Sequence, residues 1–262
     1  MKTKNILIVG AKSKTGLKIA KKFAEYNYNI IMSGRKIIQL ENEKKNLEIR
    51  YNCKAKLIEF DILKVDKHKQ FLNDVVRATS ELNNTNTNEE LNHAIPDLII
   101  FTVGKLILKK SEEEYYNEIK EEILVNYLCP ALLIELFCNK ILKSNFKCTI
   151  MAFSSVAGDR GRSLNYPYGS AKSGLTQFLS GLRQRTFNTN LNIITVIPGY
   201  IDSEMGKDIN KVKFLTSSAD EVANLVYNAY KSETDIVYTK YWRFIMYFVR
   251  LLPEFLFKRF KF

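Results

Sequence analysis

The chain has 262 residues, 46% hydrophobic and 12% aromatic, with 40 Lys plus Arg against 28 Asp plus Glu and a net charge of +12. That length and apolar content suit one large α/β domain or two small ones, and exclude a globally disordered chain or a peptide-sized scaffold. Four cysteines without a Cys-x-x-Cys pair, and only His68 and His93, give no framework for zinc or disulfides; free buried thiols in a reducing compartment are expected, and no metal site is.

Ile6–Val9 is a four-residue apolar run closed by Gly10. It is shorter than the roughly 7–15 apolar residues of a signal peptide and reads as a buried strand. Further strand candidates are Asn29–Ser33, Ala55–Phe60, Asp97–Val103, Cys148–Phe153 and Asn192–Ile197, separated by charged, periodic segments such as Gly16–Tyr26 and Leu175–Phe187. Strands apolar on both faces, each followed by a helix-length segment, predict a doubly wound α/β domain with a parallel sheet over residues 1–240. The polar stretch Asn83–Asn92 reads as a solvated loop or helix extension inserted before the strand at Asp97. No stretch reaches the roughly 18 apolar residues of a membrane span, so a soluble or membrane-peripheral protein is expected.

Gly10-Ala11-Lys12-Ser13-Lys14-Thr15-Gly16 follows the first strand and opens the first helix. In that place glycines allow a tight turn and let a helix N-terminus approach a pyrophosphate; an ordinary strand-to-helix turn is the bland alternative. After the second strand comes Ser33-Gly34-Arg35-Lys36, where an acidic residue would bind the ribose 2′-OH of NAD. Arg35, with Lys12, Lys14 and Lys36 nearby, favours the 2′-phosphate of NADPH instead, against the alternative of a solvated basic turn.

Tyr168 and Lys172 are four residues apart, on one face of a helix spanning Tyr166–Phe187. A cation beside a phenol lowers its pKa and makes it a useful proton donor or acceptor. Ser155, in Ser154-Ser155-Val156-Ala157-Gly158, stands 13 residues before Tyr168, and Asn126 stands 42 before it. Pro198-Gly199-Tyr200-Ile201-Asp202-Ser203 ends another strand, at the edge where open α/β sheets bind ligands.

With these motifs in this order, the chain resembles the short-chain dehydrogenase/reductase family from the Gly10 turn through Ser203 and more loosely to Lys240, including Asp61-Ile62 after the third strand. The resemblance implies a single Rossmann-like domain with a seven-stranded parallel sheet, and a homodimer or homotetramer built through helices flanking the sheet. It implies Tyr168 as general acid, Lys172 as its pKa-lowering partner and nicotinamide-ribose ligand, Ser155 orienting a carbonyl, and Asn126 holding a relay water. It places Gly10, Lys12, Ser13, Lys14, Thr15 and Gly16 at the pyrophosphate and Asp61 and Ile62 at the adenine. Gly104 is kept from the family's motif after strand four, and the resemblance implies that Pro198, Gly199, Ile201 and Ser203 line the nicotinamide. Two departures stand out: Lys14 replaces the turn's second glycine, and Phe101-Thr102-Val103-Gly104 replaces Asn-Asn-Ala-Gly.

Residues 241–262 form a distinct appendix, in which Arg243, Arg250, Lys258, Arg259 and Lys261 outnumber Glu254 by four amid dense aromatic and aliphatic residues. Pro253 separates two short helical pieces. Such a segment suits the headgroup region of an anionic membrane, or packs on a partner subunit or over the substrate cleft. It resembles the C-terminal segment of decaprenylphosphoryl-2-keto-ribose reductase-like members of the family. That likeness implies a lipid-linked substrate at the inner face of a membrane and a cytoplasmic protein. Nucleic-acid binding is not expected, since no reader motif appears and the cations are spread along the chain. The readings left open are NADPH-dependent reduction of a membrane-associated keto-sugar or keto-lipid, oxidoreduction of a small soluble ketone or alcohol with the tail as an oligomer contact, and a non-catalytic cofactor-binding regulator.

Overall fold

In the first strand, β1 (Asn5–Val9), successive side chains are all buried: Ile6 and Ile8 enter one apolar cluster, Leu7 and Val9 another. A strand whose two faces are both covered is the physical signature of a parallel sheet between helical layers. The computed structural model, which describes residues 3–84, 94–107, 112–144, 146–205 and 212–260, has that architecture. Seven strands, β1, β2 (Asn29–Gly34), β3 (Ala55–Glu59), β4 (Leu98–Phe101), β5 (Cys148–Phe153), β6 (Leu191–Ile197) and β7 (Ile236–Tyr238), pair in parallel in the order β3-β2-β1-β4-β5-β6-β7.

The helices are α1 (Lys14–Ala24), α2 (Glu41–Tyr51), α3 (His68–Asn83), α4 (Glu112–Ile123), α5 (Cys129–Leu142), α6 (Tyr166–Arg185), α7 (Ala219–Ser232), α8 (Trp242–Leu251) and the single turn α9 (Glu254–Phe257). Phe71 and Val75 of α3, Phe137 of α5 and Leu175 and Leu179 of α6 cover one face of the sheet. Ile19 and Phe23 of α1 with Val222 and Val226 of α7 cover the other. All four cysteines are free and buried. Most of the polar stretch Asn83–Asn92, with His93, lies outside the described residues; α3 ends at Asn83.

The strand order reverses between β1 and β4, and the crevice above their C-terminal ends is where such sheets bind ligands. The tail docks over the same edge. Trp242 and Met246, one turn apart on α8, pack with Val156 and Ile197, and the Trp242 indole N–H donates to the Leu215 carbonyl at 3.0 Å. Arg160 caps the end of α8: its guanidinium donates to the carbonyls of Val249 (2.8 Å) and Leu252 and to Glu254 (2.8 Å), over the Phe257 ring. Pro253 does divide α8 from α9. Among the described residues no helix is long and apolar enough to cross a membrane.

Candidate active site

The turn from β1 into α1 is shaped by Gly10, whose φ of +94° suits glycine alone, and by Ser13, whose hydroxyl caps α1 by accepting from the Gly16 N–H at 2.9 Å. A Cβ at Gly16 would lie 2.9 Å from the Ala11 Cα, so the helix start sits directly on the turn. The first turn of α1 contains no acidic residue, leaving the positive end of its dipole for an anion. Lys14, in the place of the family's second glycine, takes helical geometry without positive φ, so its Cβ carries no backbone strain.

Lys12, Arg35 and Lys36 line one cavity of about 570 Å³ with Gly10, Ser13, Asp61, Ile62 and Gly104. Lys14 is not part of that cluster, contrary to the expectation that four cations gather there: its ammonium pairs with Asp202 at 2.8 Å, in the segment after β6. The basic turn is held by Glu59 at the end of β3, which accepts from the Lys36 and Ile37 N–H groups at 2.6 and 2.7 Å; those bonds pull its carboxyl below the usual range. The Thr102 hydroxyl, in the departing Phe-Thr-Val-Gly segment, bonds back to the carbonyls of Val9 and Gly10 at 3.1 Å.

Tyr168, Lys172 and Ser155 meet at the ends of β5 and α6. Ser154 ties the strand to the helix by donating to the Lys172 carbonyl at 2.9 Å. Ser155 is extended and caps the next turn, accepting from the Ala157 N–H at 3.1 Å. Tyr168 and Lys172 line a space of about 180 Å³ with Thr15, Gly104, Pro198, Ile201 and Ser203, and Tyr168 shares a second one of about 120 Å³ with Ser155, Gly199 and Tyr200. The predicted residues are therefore brought to one edge, with the basic cluster at one end and the Tyr-Ser pair at the other.

The electrostatics differ from the simple picture of a cation depressing a phenol. The Lys172 ammonium lies 5.8 Å from the Tyr168 ring centroid but donates to the Phe153 carbonyl at 2.8 Å. Burial brings it down to about 7. Burial also pushes the Tyr168 phenol up to about 12, against the pull of its hydrogen bond with Ser155, and the Glu122 carboxyl adds to the rise. For both groups the loss of water is the largest cause. At neutral pH the phenol is protonated, the form a proton donor needs.

Asn126 is fully buried in a π-helical segment, Leu124–Leu128, between α4 and α5. Such wide turns interrupt the helical ladder and mark functional sites. Its amide donates to the carbonyls of Lys105 (2.6 Å) and Glu122 (2.8 Å) and accepts from the Lys105 N–H at 3.2 Å. The side chain thus pins the loop after β4. Glu122, one turn earlier, was not singled out from the sequence; one oxygen accepts from the Ile107 N–H at 2.9 Å, the other is buried without a partner, and burial pushes its carboxyl up. The only signal for it was a carboxylate four residues before Asn126.

The profile of the family described as short chain dehydrogenase matches residues 4–213. A dehydrogenase/reductase SDR family protein 7-like protein of Dictyostelium discoideum is 25% identical over 233 residues, 83% of this chain and 68% of that one. A 3-oxoacyl-[acyl-carrier-protein] reductase of Chlamydia trachomatis is 26% identical over 212 residues, 79% and 77% of the two chains. A solved short chain dehydrogenase of Burkholderia cenocepacia, in complex with NADP, superposes with a TM-score of 0.76 at 18% identity over 98% of this chain and 97% of that one.

Proposed function

This chain belongs to the short-chain dehydrogenase family of NAD(P)-dependent oxidoreductases, and from that premise we propose that it is an NADPH-dependent reductase of a membrane-associated carbonyl compound. The observation that carries the chemistry is the meeting of Tyr168, Ser155 and Lys172 beside a cradle suited to a dinucleotide. The residues fit that cofactor: a glycine turn closed against a helix start, an unopposed helix dipole, and three cations around a wide cavity.

In this reading Gly10, Ser13, Lys14, Thr15 and Gly16 hold the pyrophosphate, Lys12, Arg35 and Lys36 the 2′-phosphate, and Asp61 and Ile62 the adenine. Gly104, Pro198, Gly199, Ile201 and Ser203 border the nicotinamide. The bound nucleotide supplies hydride. Ser155 orients the substrate oxygen, Tyr168 gives it the proton, Lys172 meets the ribose, and Asn126 fixes the loop beside them. Arg35→Asp is expected to reverse the cofactor preference, weakening NADPH about tenfold or more relative to NADH in equilibrium titrations; an unchanged ratio would remove Arg35 from the 2′-phosphate.

Lys172 gives a pH signature. Its ammonium is present below about 7 and lost above, whereas in the unfolded chain it persists to the ordinary lysine range. Between those values the unfolded state binds more protons, so this group makes stability rise with pH while its charge is withdrawn from the site. Dinucleotide affinity should therefore fall as pH rises through 7, and Lys172→Met should flatten that fall. A decline that survives in Lys172→Met assigns it to another group.

The membrane part rests on the outer face of α8. Phe244, Tyr247, Phe248 and Leu251, spaced as one helical stripe, are all exposed, with Arg243 and Arg250 on α8 and Lys258 and Arg259 beyond it. Aromatic groups beside cations suit an anionic lipid surface. The full chain should sediment with anionic vesicles, less so as salt rises, and the double variant Phe244→Ser, Phe248→Ser should remain folded in solution. Sedimentation equal for both proteins assigns this face elsewhere and favours a soluble ketone.

A further inference from the structure

Beside the Tyr168 site lies a second cavity, of about 290 Å³, near the lower end of the roughly 300–1,000 Å³ of small-molecule sites. Its apolar walls are Leu215 and the inner face of α8, with Trp242, Ile245, Met246 and Val249, closed on one side by Tyr200. Tyr200, Arg162 and Asn165 line this cavity and also the small space in front of Ser155 and Tyr168, so the two adjoin through shared walls.

The shared wall holds two polar groups, the half-buried Arg162 guanidinium and the Asn165 side-chain amide. The Arg162 guanidinium donates to the Met246 sulfur at 3.3 Å, a weak acceptor, and among the described residues no carboxylate is within ion-pair distance of it. Burial pulls its pKa down, partly offset by Tyr200 and Asp159. The Asn165 Oδ1 is buried without any partner. A buried polar atom is rarely left so in a resting core, and a ligand is one way to complete it. The other lining residues are mainly aliphatic and aromatic, Leu164, Val212, Leu215, Ile245, Met246 and Val249 beside Tyr200 and Trp242, a surface that favours an alkyl chain over water.

We propose that this cavity receives a linear alkyl arm of the substrate, while Arg162 and Asn165 hold the oxygen-bearing group that joins the arm to the carbonyl. The substrate class is then a long-chain ketone with an acceptor oxygen next to the reacting carbon; the proposal rests on the reductase reading and sharpens it. The tail helix acquires a definite task, as one wall of the substrate site on its inner face, distinct from the exposed stripe on its outer face.

Trp242 is the sole tryptophan of the chain and lines the cavity, so its emission reports occupancy without any turnover. The full-length protein is titrated with methyl ketones running from acetone to a tridecanone, and Trp242 emission is followed together with NADPH consumption. The expected result is a saturable emission change whose affinity rises about fourfold per added methylene until the cavity is full. Val249→Phe and, independently, Ile245→Phe should weaken the long ketone about tenfold by filling that space, with NADPH affinity unchanged. Phe248→Ser, on the outer face, should leave the titration as it is. A long-chain keto acid should bind more tightly than the ketone of equal length, and Arg162→Met should cancel that advantage.

An emission response that is absent, independent of chain length, or untouched by both cavity-filling variants overturns the proposal. An unaltered keto-acid advantage in Arg162→Met overturns the assignment of the polar group. Reduction of short and long ketones at equal efficiency sinks the cavity and keeps the reductase, whereas chain-length-dependent binding with no NADPH consumed keeps the cavity and sinks the reductase.

Discussion

Tyr168→Phe is expected to lower kcat for carbonyl reduction by about a thousandfold, with thermal stability and NADPH affinity close to those of the unaltered protein. The substitution removes one oxygen and keeps the ring, so packing against the end of β5 is preserved. What is lost is the proton for the substrate oxygen, which becomes an alkoxide as hydride reaches its carbon. Ser155 can still orient that oxygen, but a serine hydroxyl is a far weaker acid than a phenol. Burial holds the Tyr168 phenol at about 12, so it stays protonated across the neutral range, and no loss of rate from phenol ionisation is expected until strongly alkaline pH. A reduction of less than tenfold would mean that the proton comes from another group, with the Glu122 carboxyl, one oxygen of which is buried without a partner, the first to examine.

Gly199→Ala is expected to cost about 3 kcal/mol, the upper end of ordinary overpacking. A Cβ at this position would lie 1.9 Å from the Trp242 Nε1 and within 2.3 Å of two further ring atoms. The indole is buried and tethered to the Leu215 carbonyl, so it cannot give way as a flexible side chain would. Either the strand end carrying the Gly199 N–H bond to Thr239 moves, or α8 lifts. Denaturant unfolding measures the loss, and a red shift of the single tryptophan's emission shows whether the helix has lifted. Unchanged emission with unchanged stability would mean that Trp242 does not pack on Gly199.

The contrast between these positions shows what was legible from residue order. Tyr168, Lys172 and Ser155 lie in local motifs, and the apolar run Cys148–Phe153, bounded by polar segments, coincides with β5 residue for residue. β4 was read too long, from Asp97 to Val103. The strand is Leu98–Phe101, because the Asp97 carboxylate accepts from the Asn5 N–H and Thr102 turns aside to bond the end of β1. Those two bonds reach about 90 residues along the chain, and hydropathy carries no trace of them. β7, three partly exposed residues at the sheet edge, gave too short a pattern to be read, and only the family resemblance supplied a seventh strand.

The basic turn after β2 is legible as a cluster of cations, and its arrangement less so. Arg35, Lys36 and Lys12 do share a cavity, but Lys14 pairs with Asp202, 188 residues away, and its partner could not be named from spacing. The tail was read as a basic, aromatic appendix interrupted at Pro253. Its docking depends on contacts between distant residues: Arg160 on the end of α8, and Gly199 beneath Trp242. Neither residue has a local motif for that purpose, since a glycine that admits an indole and one that lines a nicotinamide look the same in a sequence.

Reduction of a carbonyl by hydride from a nucleotide bound at the Gly10 turn can be followed by isotope transfer. The full-length protein is incubated with NADPH carrying deuterium at the nicotinamide C4 and with a long-chain ketone, and the product is examined by mass spectrometry. The expected product is an alcohol bearing one deuterium on its carbinol carbon, formed by the unaltered protein and lost with Tyr168→Phe. Tight NADPH binding with no label transferred to any carbonyl would contradict it, and would leave a nucleotide-binding protein that performs no reduction.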